Sequence, residues 1–150
     1  MDEELRRRLQ ATANAEPADY SWAGSESRWR SFTYALAGIV YVLRTQTNTR
    51  IMSAATIAVV VAGWWVGIDG LRWAVLVFAL ALVWVAEFIN AAIEAVTNIS
   101  APSFHPLAKV AKDVAAGAVL VASVAALLIG ALILAPPLFD KLSAGFSPHW

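Results

Sequence analysis

The sequence predicts an all-α membrane protein, with three transmembrane helices preceded by an amphipathic helix lying on the membrane surface. Three observations predict it. The chain is 59 % hydrophobic and 15 % charged, whereas soluble domains carry roughly 45–50 % apolar and roughly 25 % charged residues. Its apolar residues fall in three blocks, each near or above the ~20 residues that cross a bilayer as a helix. The segment before those blocks repeats its apolar residues with a helical period.

At 150 residues the chain is long enough for one domain. The first element is the polar tail, residues 1–27. Asp2, Glu3 and Glu4 followed by Arg6, Arg7 and Arg8 put acids before bases, an order that suits a short helix at 1–14. Pro17 and the Ser/Gly-rich run that follows break it. The tail has no apolar core of the signal-peptide kind, so no cleaved leader is expected.

The membrane domain is expected over 28–135. In its surface helix, 28–46, Trp29, Phe32, Leu36, Ile39, Val40 and Leu43 recur at steps of three and four, while Arg30, Tyr34, Tyr41 and Arg44 lie largely off that face. A basic amphipathic helix beside a span fits the plane of the membrane interface. The first span, 51–68, ends in Trp64-Trp65, where an aromatic belt belongs. Asp69-Gly70 reads as a tight turn. The second span covers 71–98. Pro102 and Pro106 mark a loop, the third span covers 109–134, and Pro136-Pro137 is expected to stop it. Residues 136–150 form a tail. The third span is rich in small residues (Ala111, Ala115, Gly117, Ala118, Ala122), which let membrane helices approach closely. Three spans make a thin bundle, so oligomerisation is expected.

Basic residues set the orientation. Nine of the eleven (Arg6, Arg7, Arg8, Arg28, Arg30, Arg44, Arg50, Lys109 and Lys112) fall on one side of this topology, and Arg72 and Lys141 on the other. The positive-inside rule then places the amino terminus and the 98–112 loop in the cytoplasm and the carboxyl terminus outside. Net charge is zero, so nothing global points to nucleic acid. No cysteine is present, which excludes disulfides, thiolate metal sites and a cysteine nucleophile.

Two carboxylates, Glu87 and Glu94, are embedded in the second span. Each costs at least a few kcal/mol near the bilayer centre, which makes it a functional candidate. Seven residues is close to two turns, so they share one face ~10 Å apart along the axis. Asn90 lies between them and Asn98 extends the row. Counted from Leu71, Glu87 lies ~24 Å in, near the cytoplasmic edge of a ~30 Å core. There a water-soluble reactant can meet a lipid head. The separation is too large for both to grip one Mg²⁺, whose ligands sit at ~2.0–2.1 Å. It suits divided labour: a general base at Glu87 and a metal ligand at Glu94. Lys112-Asp113 opens the third span at similar depth. The lysine can neutralise phosphate, and the aspartate can orient it or bind a metal through water. The same stripe also suits a hydrogen-bonded seam between helices, with pairing to Lys112 as its form. His105 is as well suited to a loop contact as to a ligand role. No GxxxxGK[ST] loop or kinase catalytic loop is present.

Four segments carry a family likeness. EFINAAIEAV followed by HPLAKVAKDVAAGAV, with SFTYALAGIVYVLR and NTRI upstream, resembles the small prokaryotic lipid kinases, the diacylglycerol kinase and undecaprenol kinase family. The likeness runs from about Arg28 to Leu134, and the HPLAK form looks more like the undecaprenol branch. The resemblance implies a homotrimer with a surface helix and active sites shared between subunits. It also implies Mg-ATP-dependent phosphorylation of a lipid hydroxyl at the cytoplasmic interface. Glu87 then falls on the catalytic base with Asn90 beside it, and Glu94 on a metal-binding glutamate. Lys112 and Asp113 fall on contacts to nucleotide phosphate, with His105 nearby in the loop and Tyr34 near the nucleotide. Asn48 and Arg50 match the approach to the lipid. Two positions depart from the family. Gln46 stands where a second metal-binding glutamate is usual, and Asn98 where an aspartate is common. A neutral amide is a poorer Mg²⁺ ligand than a carboxylate. The two departures leave an alternative open, a trimer with weakened or lost chemistry that serves as a lipid-binding or regulatory protein. A pore lined by Glu87 and Glu94 is a third reading, and it predicts conductance.

Overall fold

The computed structural model describes residues 28–101 and 103–145. Among them there are four helices and no strand: α1 Arg28–Thr45, α2 Thr47–Val66, α3 Gly70–Ser100 and α4 Pro106–Gly145. The last three are long and apolar enough to cross a membrane, and the chain is a membrane protein. The charged helix expected at 1–14 lies outside the described residues.

The chain divides between Gly38 and Ile39, inside α1, into two compact units. In the first, Phe32, Tyr34 and Leu36 are exposed. In the second, Ile39 and Val40 of the expected apolar face are exposed too, and Val42 is the buried member of α1.

Within the second unit, α3 packs most extensively against α4, and α2 contacts both more sparingly. The buried face of α3 is Leu76, Ala79, Val83, Glu87 and Ala91, recurring at three and four as a helix requires. Across from it, Ala115, Val119 and Ala122 of the expected small-residue helix are buried, whereas Ala118 is exposed. Alanines on both partners permit the close approach that membrane helices use where no water drives association. At the end of the bundle away from the carboxylates, Ile68, Leu76 and Leu134 form a core. Val59, Ala62, Val66, Trp73, Ile133 and Leu138 pack against it.

Several boundaries differ from the sequence reading, among them the start of α2, at Thr47 rather than near Ile51. The tight turn between α2 and α3 is made by Gly67, at φ 74°, whose N–H bonds the Gly63 carbonyl. A residue without Cβ takes that left-handed conformation at no steric cost. Asp69-Gly70 instead opens α3: the Asp69 carboxylate accepts the Arg72 N–H at 2.9 Å and pairs with its guanidinium at 3.3 Å. Helix α4 starts at Pro106 rather than near Lys109, because a proline at the first helical position gives up an N–H that has no partner there anyway. The same helix runs through Pro136-Pro137. The two rings deprive the Leu132 and Ile133 carbonyls of their usual intrahelical donors. Packing of Leu134 and Leu138 on the core offsets that loss. Past the prolines, the Lys141 ammonium donates to the Trp65 carbonyl and lies 5.3 Å from the centre of its ring.

The hydrogen bond from the Arg72 N–H is the largest influence on the Asp69 carboxyl and holds it below the usual aspartate range, with the Arg72 charge adding to it. A lowered folded-state value means stability that is present above the unfolded value, near 3.8, and lost as pH falls through the folded one. Asp69→Asn keeps a capping acceptor and removes the charge. The stability gap between wild type and this variant is therefore expected to be full at neutral pH and to close as pH falls below 3.8. Thermal unfolding in detergent across that range measures it.

Candidate functional site

The carboxylates of α3 are met by amides from the start of α2. Gln46 is the single non-helical residue between α1 and α2, in extended backbone (φ −95°, ψ 119°). Its amide Nε2 donates to Glu94 Oε2 at 3.0 Å. Two residues on, Asn48 Nδ2 donates to Glu87 Oε2 at 3.3 Å. The break at Gln46 is pinned by Thr49, whose side chain is fully buried. The Thr49 hydroxyl bonds the Gln46 carbonyl at 2.7 Å and the Val42 carbonyl at 3.2 Å. The Gln46 N–H also bonds the Val42 carbonyl, at 3.0 Å. Thr49 thus ties the end of α1 to the start of α2 and aims both amides at α3. Sequence reading passed over it, since its acceptors are backbone carbonyls three and seven residues away.

Glu87 is 1 % exposed and lies on the packed face of α3. An anion at such a site costs several kcal/mol unless it is hydrogen-bonded. Beside it is a cavity of about 280 Å³ lined by Asn48, Glu87, Asn90, Ala116, Val119, Leu120 and Ser123. The spacing argument is therefore realised for Glu87 and Asn90, which share one cavity. Asn48 and Ser123 also line a second, apolar cavity of about 300 Å³. Its walls include Met52, Thr56, Leu80, Val83, Trp84 and Leu127, and the Trp84 indole N–H donates to the Thr56 hydroxyl at 3.1 Å. A polar chamber with a buried carboxylate thus adjoins an apolar one, which is the form a head-and-tail substrate requires. Ser123 was not singled out from the sequence, because a lone serine in an apolar helix carries no local signal.

The other predicted residues group at the end of α3 and the start of α4. Lys112 Nζ donates to Asn98 Oδ1 at 2.6 Å, so the pairing expected of Lys112 is made with the last member of the row. Asp113 pairs with Lys109 at 2.5 Å, both more than half exposed. Such an exposed pair is worth at most about 1 kcal/mol and holds neither group firmly. The His105 carbonyl accepts the Lys109 N–H at 3.1 Å in the first turn of α4. His105, Lys109 and Lys112 line a cavity of about 350 Å³ with Thr97, Ser103 and Phe104. Arg50 is exposed on the first turn of α2, and no hydrogen bond joins it to either carboxylate among the described residues. Tyr34 is exposed on α1, in the first compact unit.

Whether these residues suit a resident metal ion follows from the donor set. Glu94 is the carboxylate of its cluster, and the amide N–H of Gln46 already occupies one of its oxygens. No group of three or more His, Cys, Asp or Glu able to hold a metal occurs among the described residues. Mg²⁺ takes six oxygen ligands in near-octahedral array, so the described residues alone do not make a site for a resident ion.

The membrane bundle thus brings a buried carboxylate, an apolar cavity and a lysine-lined pocket into one chain. The chain belongs to the prokaryotic diacylglycerol kinase family, whose model matches residues 33–134, and it is a lipid kinase. It is 40 % identical over 123 residues to a diacylglycerol kinase of Synechocystis sp., covering 81 % of this chain and 70 % of that one. It is 37 % identical over 110 residues to an undecaprenol kinase of Bacillus subtilis (strain 168), covering 73 % and 89 %. Against a diacylglycerol kinase of Escherichia coli (strain K12) the identity is 28 % over 117 residues, covering 78 % and 84 %.

Proposed function

We propose that this protein transfers the γ-phosphoryl group of ATP to the hydroxyl of a membrane lipid alcohol, undecaprenol or diacylglycerol, at the cytoplasmic face. The observation that carries the proposal is that buried Glu87 lines a cavity with Asn90, and that Asn48 and Ser123 line both this cavity and an apolar one. The lipid tail lies in the apolar chamber and its hydroxyl reaches Glu87. The hydroxyl oxygen attacks the γ-phosphorus, the bond from that phosphorus to the β–γ bridging oxygen breaks, and ADP leaves. Glu87 takes the proton. Asn90 orients the hydroxyl, and Asn48 holds the carboxylate from the other side. Positioning and charge stabilisation do most of the work in such a transfer.

Lys112 faces the phosphates from the pocket it shares with His105. Asp113 and Arg50 complete the approaches to nucleotide and lipid. Mg²⁺ belongs here to the substrate, as Mg-ATP, and meets the protein at Glu94. The domain runs over 28–135 with α1 at the membrane surface. The amino terminus and the α3–α4 connection lie in the cytoplasm and the carboxyl terminus outside, as the excess of basic residues on that side favours. Three copies assemble with active sites shared between neighbours.

The test is a thin-layer assay of purified protein with Mg-ATP over a panel of lipid alcohols. Phosphorylation of undecaprenol or diacylglycerol is expected. A second reading rests on Gln46 and Asn98, the neutral residues beside Glu94 and Lys112. It is a regulatory or lipid-binding trimer without turnover, and the finding that no lipid in the panel is phosphorylated would favour it.

A further inference from the structure

We infer that Gln46 makes this site conditional: the protein does not hold a divalent cation by itself, and the cation is bound only together with nucleotide phosphates. The inference rests on the proposed phosphotransfer site and concerns what Gln46 does to it.

Gln46 presents a donor, not an acceptor, to Glu94. Its Nε2 donates to Oε2 across 3.0 Å, so one of the carboxylate oxygens a cation would use already faces a positive dipole. The contact is built in. Gln46 is fixed at the α1–α2 break by its own N–H to Val42 and by the Thr49 hydroxyl on its carbonyl, so its side chain leaves from an anchored backbone. One turn beyond Glu94 on α3, Asn98 accepts from the Lys112 ammonium. That ties a positive charge to a residue whose backbone lies ~6 Å along the helix axis from that of Glu94. A lone divalent ion would thus meet one carboxylate, an amide donor and a nearby lysine.

Affinity for such ions rises with the number of charged oxygen ligands, and Mg²⁺ is commonly held by one or two carboxylates plus substrate phosphates. With one carboxylate here, the phosphates must supply the remaining charge. The same phosphates would draw Lys112 from Asn98. Rotation of the Gln46 amide by half a turn about its last side-chain bond would then exchange donor for acceptor and point Oε1 at the incoming cation. Gln46 is a positioning residue for Glu94, and the two-residue step to Asn48 repeats the arrangement at Glu87.

The experiment uses the full chain in zwitterionic proteoliposomes, with Mn²⁺ as probe. Mn²⁺ sedimenting with the protein is measured with and without a non-hydrolysable ATP analogue, after subtraction of protein-free vesicles. Wild type is expected to retain at least tenfold more Mn²⁺ with the analogue than without it. Gln46→Glu is expected to bind Mn²⁺ alone at least tenfold more tightly than wild type, and Glu94→Gln in that background is expected to remove the gain. Equal, saturable retention by wild type with and without the analogue overturns the inference. So does a Gln46→Glu protein that sediments intact, binds the analogue and shows no gain. None of these readings needs turnover, so loss of the kinase reading would appear separately, as a lipid panel left unphosphorylated.

Discussion

Glu87→Gln is expected to lower lipid phosphorylation by about 10²–10⁴-fold, the usual contribution of a positioned general base, while leaving the fold in place. The substitution keeps the size of the side chain. It keeps an oxygen that can accept from Asn48 Nδ2, which now donates to Glu87 at 3.3 Å. It also removes a buried charge, 1 % exposed. Losing an ion from such a site is often neutral or favourable for stability, so a dead enzyme with an unchanged or raised unfolding temperature is the signature of a catalytic role. A seam whose purpose is to join helices would give the opposite pattern, full turnover with a fall in stability. The kinetic split matters as well. A group that acts on the reacting proton lowers kcat and leaves the KM for ATP nearly unchanged. Turnover retained in Glu87→Gln would remove Glu87 from the reaction.

Lys112→Ala is the second large effect. Its ammonium is one hydrogen bond from Asn98, at 2.6 Å, and lines the pocket with His105 and Lys109. Removing one donor aimed at developing charge costs about 10²–10³ in rate in the best-studied sites, and a comparable loss in kcat/KM for ATP is expected here. Lys109 lines the same pocket but is turned to Asp113, so full rescue by it is not expected. Asn98 is neutral, so Lys112→Ala leaves no buried anion behind, and the stability change is expected to be small. Measuring kcat and KM for ATP at fixed lipid separates the two: a rise in KM for ATP is expected along with the fall in kcat, while KM for the lipid stays flat. An unaltered KM for ATP would place Lys112 outside the phosphate pocket.

The legible part of the site is the part written on one helix. Glu87, Asn90 and Glu94 follow a 3.6-residue period, and a carboxylate inside an apolar span is costly enough to stand out. Their partners are not local. Gln46 reaches Glu94 across 48 positions and Asn48 reaches Glu87 across 39, and no periodicity in α2 encodes those pairings. Family likeness pointed to both residues but not to the direction of the hydrogen bonds. Thr49 was missed because a buried hydroxyl looks the same in sequence as an exposed one, and Ser123 because a lone serine in an apolar helix carries no local signal. The spans were legible because length and hydropathy are summed over ~20 residues. Their ends were not: a proline pair reads locally as a stop, and only the seating of Leu138 against Ile68, Leu76 and Leu134 shows why the helix goes on.

The prolines of α4 also act as a ruler. The Leu132 and Ile133 carbonyls, left without intrahelical donors, cannot rest in hydrocarbon without cost and belong at the level of water or lipid headgroups. From Lys112 to Leu132 is 20 residues, or ~30 Å of helix, which equals the thickness of a bilayer core. The charged end of that interval and the proline turn at the other would thus grade the helix against the two faces of a membrane. In thicker bilayers the Lys112 pocket or the proline turn would be drawn toward the tails, so bilayer thickness becomes a variable that would act on the proposed phosphate site.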